Sequence, residues 1–354
     1  MPDLVVAGAG MAGLAAAVRA RELGAEVVLY EKGDRPGGSM LLSHGVAWRH
    51  REWETFRSEC PNGDERLQRL VYERLDDALG WLERLAGRGS VVAREGDNPR
   101  TTGIRFDTPA LTQKLAALVP DLRLGEPLFT RPEGVPVVLA TGGFQGDRDL
   151  VRRLITPEAD HLWLRANPWS AGDGLRLGLA AGARLSEGMD EFYGRNLPAP
   201  PARVTPDAFR PLTQLYARFA VVENEAGERF ETKTWSEIDV AQWTARQPQA
   251  RARYVVPDSA FRERVGDWTV GEMIAAAEAA GGPVVRERET TRVDVTAGIT
   301  TTLGGLAVGV DLAAAEAIYA AGMDAGGVST GGYSSGLAWA LVSGRLAAES
   351  ALSA

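Results

Sequence analysis

The sequence predicts an α/β chain in two domains, one assembled from both ends of the polypeptide and one inserted between them. Three observations predict this. The first 32 residues read strand, helix, strand; apolar strands running into glycines return at 135–144 and 318–327; and a proline-rich, aromatic-rich stretch of different texture separates them. The boundaries are expected at 1–187 with 290–354 for the first domain, and at 188–289 for the second.

The elements follow in order. Residues 3–8 are a short apolar strand, and 11–23 a helix whose Leu14, Ala15, Ala17, Val18 and Leu23 keep one face apolar, with Gly24 as its stop. "AEVVLYEK" is apolar on both faces, as a buried parallel strand is. Residues 64–86 carry Leu67, Leu70, Val71, Ala78, Leu82 and Leu85 at helical spacing, as one helix or a pair. A further helix is expected at 108–119, with a threonine before its first turn. "AGDGLRLGLAAGARL" at 171–185 reads as a glycine-led helix. "LPAPPARVTPDAFRP" holds five prolines and reads as an extended excursion. "FAVVENEAGERF" reads as a hairpin turning at Asn224–Gly227. "GLAWALVSGRLAAESAL" is a closing helix.

Composition excludes several functions. A formal net charge of −8 and a pI near 5.2 argue against nucleic acid as a partner, because phosphate binding wants a basic surface. Cys60 is the one cysteine, so no internal disulfide is possible, and the three histidines are scattered; no metal site is expected. No signal-peptide pattern and no apolar run of membrane-spanning length is present, so a soluble, cytoplasmic protein is expected, with no membrane partner.

"LVVAGAGMAGLAAAV" carries Gly8-x-Gly10-x-x-Gly13 between a strand and a helix. In that setting Gly8 allows the tight turn, Gly10 lets the backbone approach a pyrophosphate, and Gly13 lets helix and strand pack closely. The first helical turn, with Met11 and Ala12, then aims free N–H groups at the phosphates. Glu31, 18 residues after Gly13, is placed to accept ribose hydroxyls.

Three further features favour FAD over NAD. Lys32 leads into a second glycine loop, Gly37, Gly38, Ser39 and Met40, which a larger resident cofactor needs. The strand "VVLATGG" ends in Ala140, Thr141 and Gly142, a turn suited to the adenosine half. "IYAAGMDAGG" sets Asp324 just past a strand end, where an acid accepts a hydrogen bond from ribitol.

"GAGMAGLAAA…EK…GGS", "VVLATGGF", "AGDGLRLGLAAGA", "TTTLGGL", "IYAAGMDAGG" and "GLAWALVSGR" occur in the order seen in the fumarate reductase/succinate dehydrogenase flavoprotein superfamily. The chain resembles that group over most of its length, including its 3-ketosteroid dehydrogenase-like and tricarballylate dehydrogenase-like members. The resemblance implies a Rossmann-like FAD-binding domain with an inserted α+β cap domain, and "VVENEAGERF" resembles the cap hairpin. It implies Asp173 near FAD, and the backbone of Ser335, Gly336 and Leu337 at the pyrimidine end of the ring, where a helix N-terminus stabilises negative charge on reduced flavin. The histidine that carries flavin covalently in succinate dehydrogenases would fall near Ser39–Met40, and His44 matches poorly, so FAD is expected to be noncovalent.

The chain also departs from the group. The sheet segment before "VVLATGG" is reduced to "DLRLGEPLFTRPEGV", and 258–290 is abbreviated. The four residues that hold and protonate a dicarboxylate in fumarate reductases would fall at Thr301, near Asn196, at Gly331 and near Trp235. None is a histidine or arginine, and a dicarboxylate needs such partners. Tyrosine and arginine stand nearby instead: Tyr193 and Arg195, Tyr216 and Arg218, and Tyr333. Tyr193, Tyr333 and Arg195 are the catalytic candidates; the alternative is that the tyrosines are packed core residues.

These features point to an FAD-dependent oxidoreductase acting on a carbon–carbon bond next to an activating carbonyl or similar group. A 3-ketosteroid-Δ1-dehydrogenase-like enzyme with tyrosine acid and base is the nearest alternative, and a flavin-binding scaffold without catalysis is an alternative of another class. The expected partners are a small-molecule substrate and a separate electron donor or acceptor, since no haem or iron–sulfur motif is present.

Overall fold

A computed structural model describes residues 1–95 and 98–353. The chain divides into two units, Met1–Asp147 with Asn167–Glu191 and Thr302–Ala354, and Arg148–Ala166 with Phe192–Thr301. The sequence reading assigns 148–166 and 290–301 to the first domain; in the structure they go with the second. Strand pairing gives the reason: Trp163–Leu164 and Thr290–Thr302 belong to the same sheet.

The first unit is built on a six-stranded sheet in the order Ala313–Ala315, Ile318–Ala320, Val137–Leu139, Leu4–Ala7, Val27–Glu31, Leu122–Leu124. All neighbours are parallel except the first pair. Leu4–Ala7 lies at its centre and is buried throughout, as its uniformly apolar sequence requires. The reduced "DLRLGEP" segment still supplies an edge strand, with Leu29 opposite Leu122.

The helix Met11–Glu22 is alanine-rich and has nine buried residues, so its backbone packs close on its neighbours. The closing helix Gly336–Ala351 lies against it so tightly that a Cβ on Gly344 would overlap the Ala12 carbonyl. Glu65–Ala86 is one helix, capped by Asp64, whose carboxylate accepts the Arg66 N–H at 2.8 Å. The helix expected at 108–119 spans Thr108–Ala117, and its cap is Asp107, one residue before the expected threonine. The glycine-led helix is shorter than expected, Asp173–Ala180. Val46–His50, Thr101–Phe106 and Val91–Glu95 form a separate antiparallel sheet.

The second unit carries a mixed sheet around the long strand Thr290–Thr302. Arg251–Pro257 pairs with it antiparallel, then Val221–Glu223 and Arg229–Phe230 continue to the edge as the expected hairpin. Gly227 N–H donates to the Asn224 carbonyl across that turn. Tyr216, Tyr254, Val222, Val240, Met273, Ile274 and Val293 fill the core beneath. Among the described residues no helix is long and apolar enough to cross a membrane, and no group of three or more His, Cys, Asp or Glu could hold a metal ion.

Candidate functional site

The glycine turn has the geometry its spacing demands. Gly8 takes φ +97°, a left-handed conformation that favours glycine. A Cβ on Gly13 would overlap the Gly8 carbonyl, so strand and helix could not close to this distance with any other residue. A Cβ on Gly10, by contrast, would meet nothing within 4 Å. The turn therefore opens onto room at the N-terminus of Met11–Glu22, where Met11 and Ala12 bring the first free N–H groups.

The second loop closes on the first. Gly37, at φ +110°, donates its N–H to the Ala9 carbonyl at 2.8 Å. A Cβ on Gly38 would stand 3.3 Å from Gly10 Cα. Ser39 and Met40 follow in a short 3-10 turn, with Met40 buried. The Ser39 hydroxyl is buried and has no protein partner. An orphaned hydroxyl beside two opposed glycine turns fits a phosphate oxygen, so the residues present suit a dinucleotide pyrophosphate.

Glu31 is buried, and its carboxylate spans both loops. Oε2 accepts the Ala9 N–H and Oε1 the Gly33 N–H, each at 2.7 Å. Each oxygen keeps a further lone pair, so the ribose role stays chemically open to it while it clamps the cradle.

The third turn is organised by Asp324. Its carboxylate accepts the Thr141 N–H at 2.5 Å, the Thr141 hydroxyl at 2.9 Å and the Gly143 N–H at 3.3 Å. Asp324 thus holds the Ala140–Gly143 turn, a task that its expected ribitol contact did not foresee. Burial raises its carboxyl to about 6, against the lowering effect of those donors. Gly142 takes φ +95° in this turn, and the Ala140 carbonyl lies where a Cβ on Gly8 would fall. The Thr141 hydroxyl also accepts the Gly174 N–H at 3.0 Å, which draws in the helix Asp173–Ala180. Asp173 and Lys32, both expected to face the cofactor, pair with each other at 2.8 Å.

At the head of the closing helix, Ser335 is the cap. Its hydroxyl accepts the Ala338 N–H at 3.2 Å and donates to the Val46 carbonyl at 3.3 Å. Gly336 and Leu337 form the first turn. A Cβ on Gly336 would stand 4.0 Å from the Tyr333 hydroxyl, so that phenol lies close to the helix N-terminus. The half-buried Tyr333 ring meets Trp48 edge to face, with centroids 6.0 Å apart. Glu191 accepts the Gly331 N–H at 2.6 Å, so a carboxylate lies beside the glycine at which the sequence reading found no clamp arginine.

The remaining candidates lie in the second unit. Tyr193 and Arg195 share one face of the strand Phe192–Pro198, and the guanidinium lies 4.6 Å from the Tyr193 ring centroid. Arg195 also donates to the Gly194 carbonyl at 3.0 Å. Asn196 points to the other face and donates to the Thr244 and Tyr254 hydroxyls at 2.9 and 3.0 Å. Tyr216 is a core residue, fully buried, its hydroxyl donating to Gln214 at 2.6 Å.

Glu237 had no signal in the sequence. Glu237 is buried in a left-handed conformation, φ 59° and ψ 27°, at the head of the helix Ile238–Ala245. Its Oε1 accepts from Arg218 Nε at 3.2 Å, while Oε2 is buried without a partner. Burial pushes its carboxyl above the ordinary range, with Arg218 and Arg195 opposing. "TWSEID" offers no spacing or glycine that would announce such a position.

Comparison with known proteins agrees with this geometry. Residues 131–336 match the family described as FAD binding domain, and residues 6–44 match a NAD(P)-binding Rossmann-like domain. A vinyl phenol reductase from Lactiplantibacillus plantarum (strain ATCC BAA-793 / NCIMB 8826 / WCFS1) is 26% identical over 243 residues, which are 56% of this chain and 49% of that protein. The chain therefore spans about half the length of this curated relative. Among solved structures, the open conformation of a flavocytochrome c3 fumarate reductase aligns with TM-score 0.74 at 19% identity, covering 99% of this chain and 78% of that one. A 3-ketosteroid Δ1-dehydrogenase from Sterolibacterium denitrificans, in complex with 1,4-androstadiene-3,17-dione, aligns with TM-score 0.73 at 15% identity, covering 99% of both chains. At these identities the structural likeness is one of fold.

Proposed function

The chain belongs to the FAD binding domain family, with FAD as its cofactor and the fold of the fumarate reductase-type flavoprotein oxidoreductases, and from that premise we propose that it reduces or forms a carbon–carbon double bond next to an activating carbonyl or aromatic group. When bound, the cofactor supplies hydride exchange at the flavin N5. The first turn of the closing helix offers its free N–H groups to negative charge on the reduced ring. Tyr333 holds a proton at its hydroxyl and gives it to, or takes it from, the carbon that does not exchange hydride. Within the second unit, Arg195, with Tyr193 beneath its guanidinium, is the group whose chemistry suits an anionic or carbonyl oxygen.

The observation that carries this reading is the segment Gly331–Gly336. Gly331, whose N–H is bonded to Glu191, brings no cation to a dicarboxylate, and the Tyr333 phenol two residues later lies at the helix N-terminus. The likeness to a vinyl phenol reductase supports an alkene conjugated to an aromatic ring as one substrate of this class. A second reading, dehydrogenation of a 3-ketosteroid, is favoured by the same tyrosine hydroxyl. A redox partner supplies or takes up the electrons.

The test is an anaerobic half-reaction. Dithionite-reduced protein is mixed in turn with 4-vinylphenol, a cyclic enone and fumarate, and oxidised protein with a saturated 3-ketosteroid. Return of the oxidised flavin band with the vinylphenol or enone supports the reading; bleaching by the ketosteroid supports the second. Return with fumarate alone contradicts both. FAD bound but inert to every compound favours the scaffold.

A further inference from the structure

The second loop of the cradle, 32–39, contains Gly33, Gly37 and Gly38 and would be loose if held only by the phosphate turn. Its far side is covered by a segment from much later in the chain, Asn167–Asp173. Trp169 lies so close on Gly33 that a Cβ there would overlap its six-membered ring. The Arg35 guanidinium lies 5.4 Å from the Trp169 ring centroid. Lys32 and Asp173 close the other end of the segment at 2.8 Å. The Trp169 backbone is held as well, because its amide N–H donates to the Asn167 side chain at 3.0 Å.

These contacts bridge the two halves of the cradle. Behind Gly33 stands Glu31, which accepts the Gly33 N–H and clamps Ala9 in the phosphate turn. Behind Asp173 stands Gly174, whose N–H donates to Thr141, the residue held by Asp324. Gly33 is also tied through its carbonyl to the Gly125 N–H at 2.8 Å, so moving Trp169 away would uncover Gly33 on one side and loosen one of the two anchors of Glu31. Breaking the Lys32–Asp173 pair would separate the second loop from the third turn.

We propose that Trp169, with the Lys32–Asp173 ion pair, is a latch that keeps FAD resident, so that exchange of the cofactor requires Asn167–Asp173 to lift from Gly33. The latch extends the cofactor assignment and does not depend on which substrate the protein takes. Trp169 acts here as a positioning residue, through Gly33 and Glu31. The ion pair is partly exposed, with side-chain accessibilities of 34% and 13%, so salt should weaken it.

The experiment follows FAD release from holoprotein by the rise in free-flavin fluorescence on dilution, at low and high salt. Trp169→Ala should speed release by about tenfold or more, and Trp169→Phe, which keeps an aromatic face on Gly33, should return most of that loss. Wild-type release should quicken with added salt, and Lys32→Met should be fast at low salt and lose that sensitivity. Far-UV circular dichroism checks that each variant is folded; if Trp169→Ala is not, the Phe and Met variants carry the test. Folded variants that all release FAD at the wild-type rate would overturn the proposal, as would a Trp169→Phe protein as fast as Trp169→Ala. A negative substrate panel leaves these rates unchanged, so this failure and that of the proposed reaction are separately visible.

Discussion

The cofactor cradle and the polar core of the second unit bury polar groups in different ways. In the cradle, backbone groups do most of the work. Ala9, Gly33, Gly37, Thr141 and Gly143 donate N–H groups, and two acids, Glu31 and Asp324, gather four of them. In the second unit side chains pair with one another: Asn196 with Thr244 and Tyr254, Tyr216 with Gln214, and Glu237 through one oxygen with Arg218. Backbone recognition demands close approach and left-handed turns, hence glycine at fixed spacings. Side-chain networks tolerate many residue types at many spacings.

The contrast is broken most severely at Gly13. Gly13→Ala sets a methyl group into the Gly8 carbonyl, so the turn must open. The expected product is colourless protein that takes up no added FAD, measured by flavin absorbance after gel filtration. Next in size, Tyr333→Phe removes the proposed acid–base hydroxyl and leaves the cradle intact. Turnover of the substrate found in the half-reaction should fall by about 10²–10⁴, with flavin content unchanged.

Asp324 sharpens the comparison through pH. Its carboxyl is raised from the ordinary 3.8 to about 6 by burial, so the folded chain holds a proton where the unfolded chain has released it. This contribution to stability is complete below the ordinary value and is lost as pH rises through about 6. Asp324→Asn should flatten the pH dependence of stability across that window by up to about 3 kcal/mol, read from denaturant midpoints of apoprotein. A variant whose curve parallels the wild type would remove the carboxylate from the account. In the second unit, Asn196→Ala removes a donor from two buried hydroxyls, of which Thr244 still donates to Val240, and should cost about 1–3 kcal/mol in thermal or denaturant unfolding, with FAD retained. Loss of FAD in that variant would mean that the two regions are not independent.

The same contrast explains what the sequence disclosed. Gly8, Gly13, Gly37, Gly38 and Gly142 were legible because their left-handed turns or close approaches call for glycine, and Gly10 because it completes the spacing and leaves room at the helix N-terminus. The strands at 4–7, 27–31 and 137–139 were legible because a central parallel strand is apolar on both faces. Asp324 was singled out by its place after a strand as a ribitol partner, whereas its hold on Thr141 and Gly143 depends on a turn 181–183 residues away in sequence. Trp169 and Glu237 were not found. An indole resting on a distant glycine and a strained, half-paired carboxylate depend on tertiary contacts, and neither leaves a local pattern. Helix ends were misjudged where glycine or a competing cap decided them, at Asp107 and at Gly182, with φ +91°.

The central claim is a resident, noncovalent FAD in a cradle made by the first unit. Acid precipitation of the purified protein, with flavin measured in supernatant and pellet, tests it most directly. The account predicts FAD in the supernatant at one per chain, with a colourless pellet. Flavin that stays with the pellet, or protein that releases none and binds none when FAD is added, would contradict it.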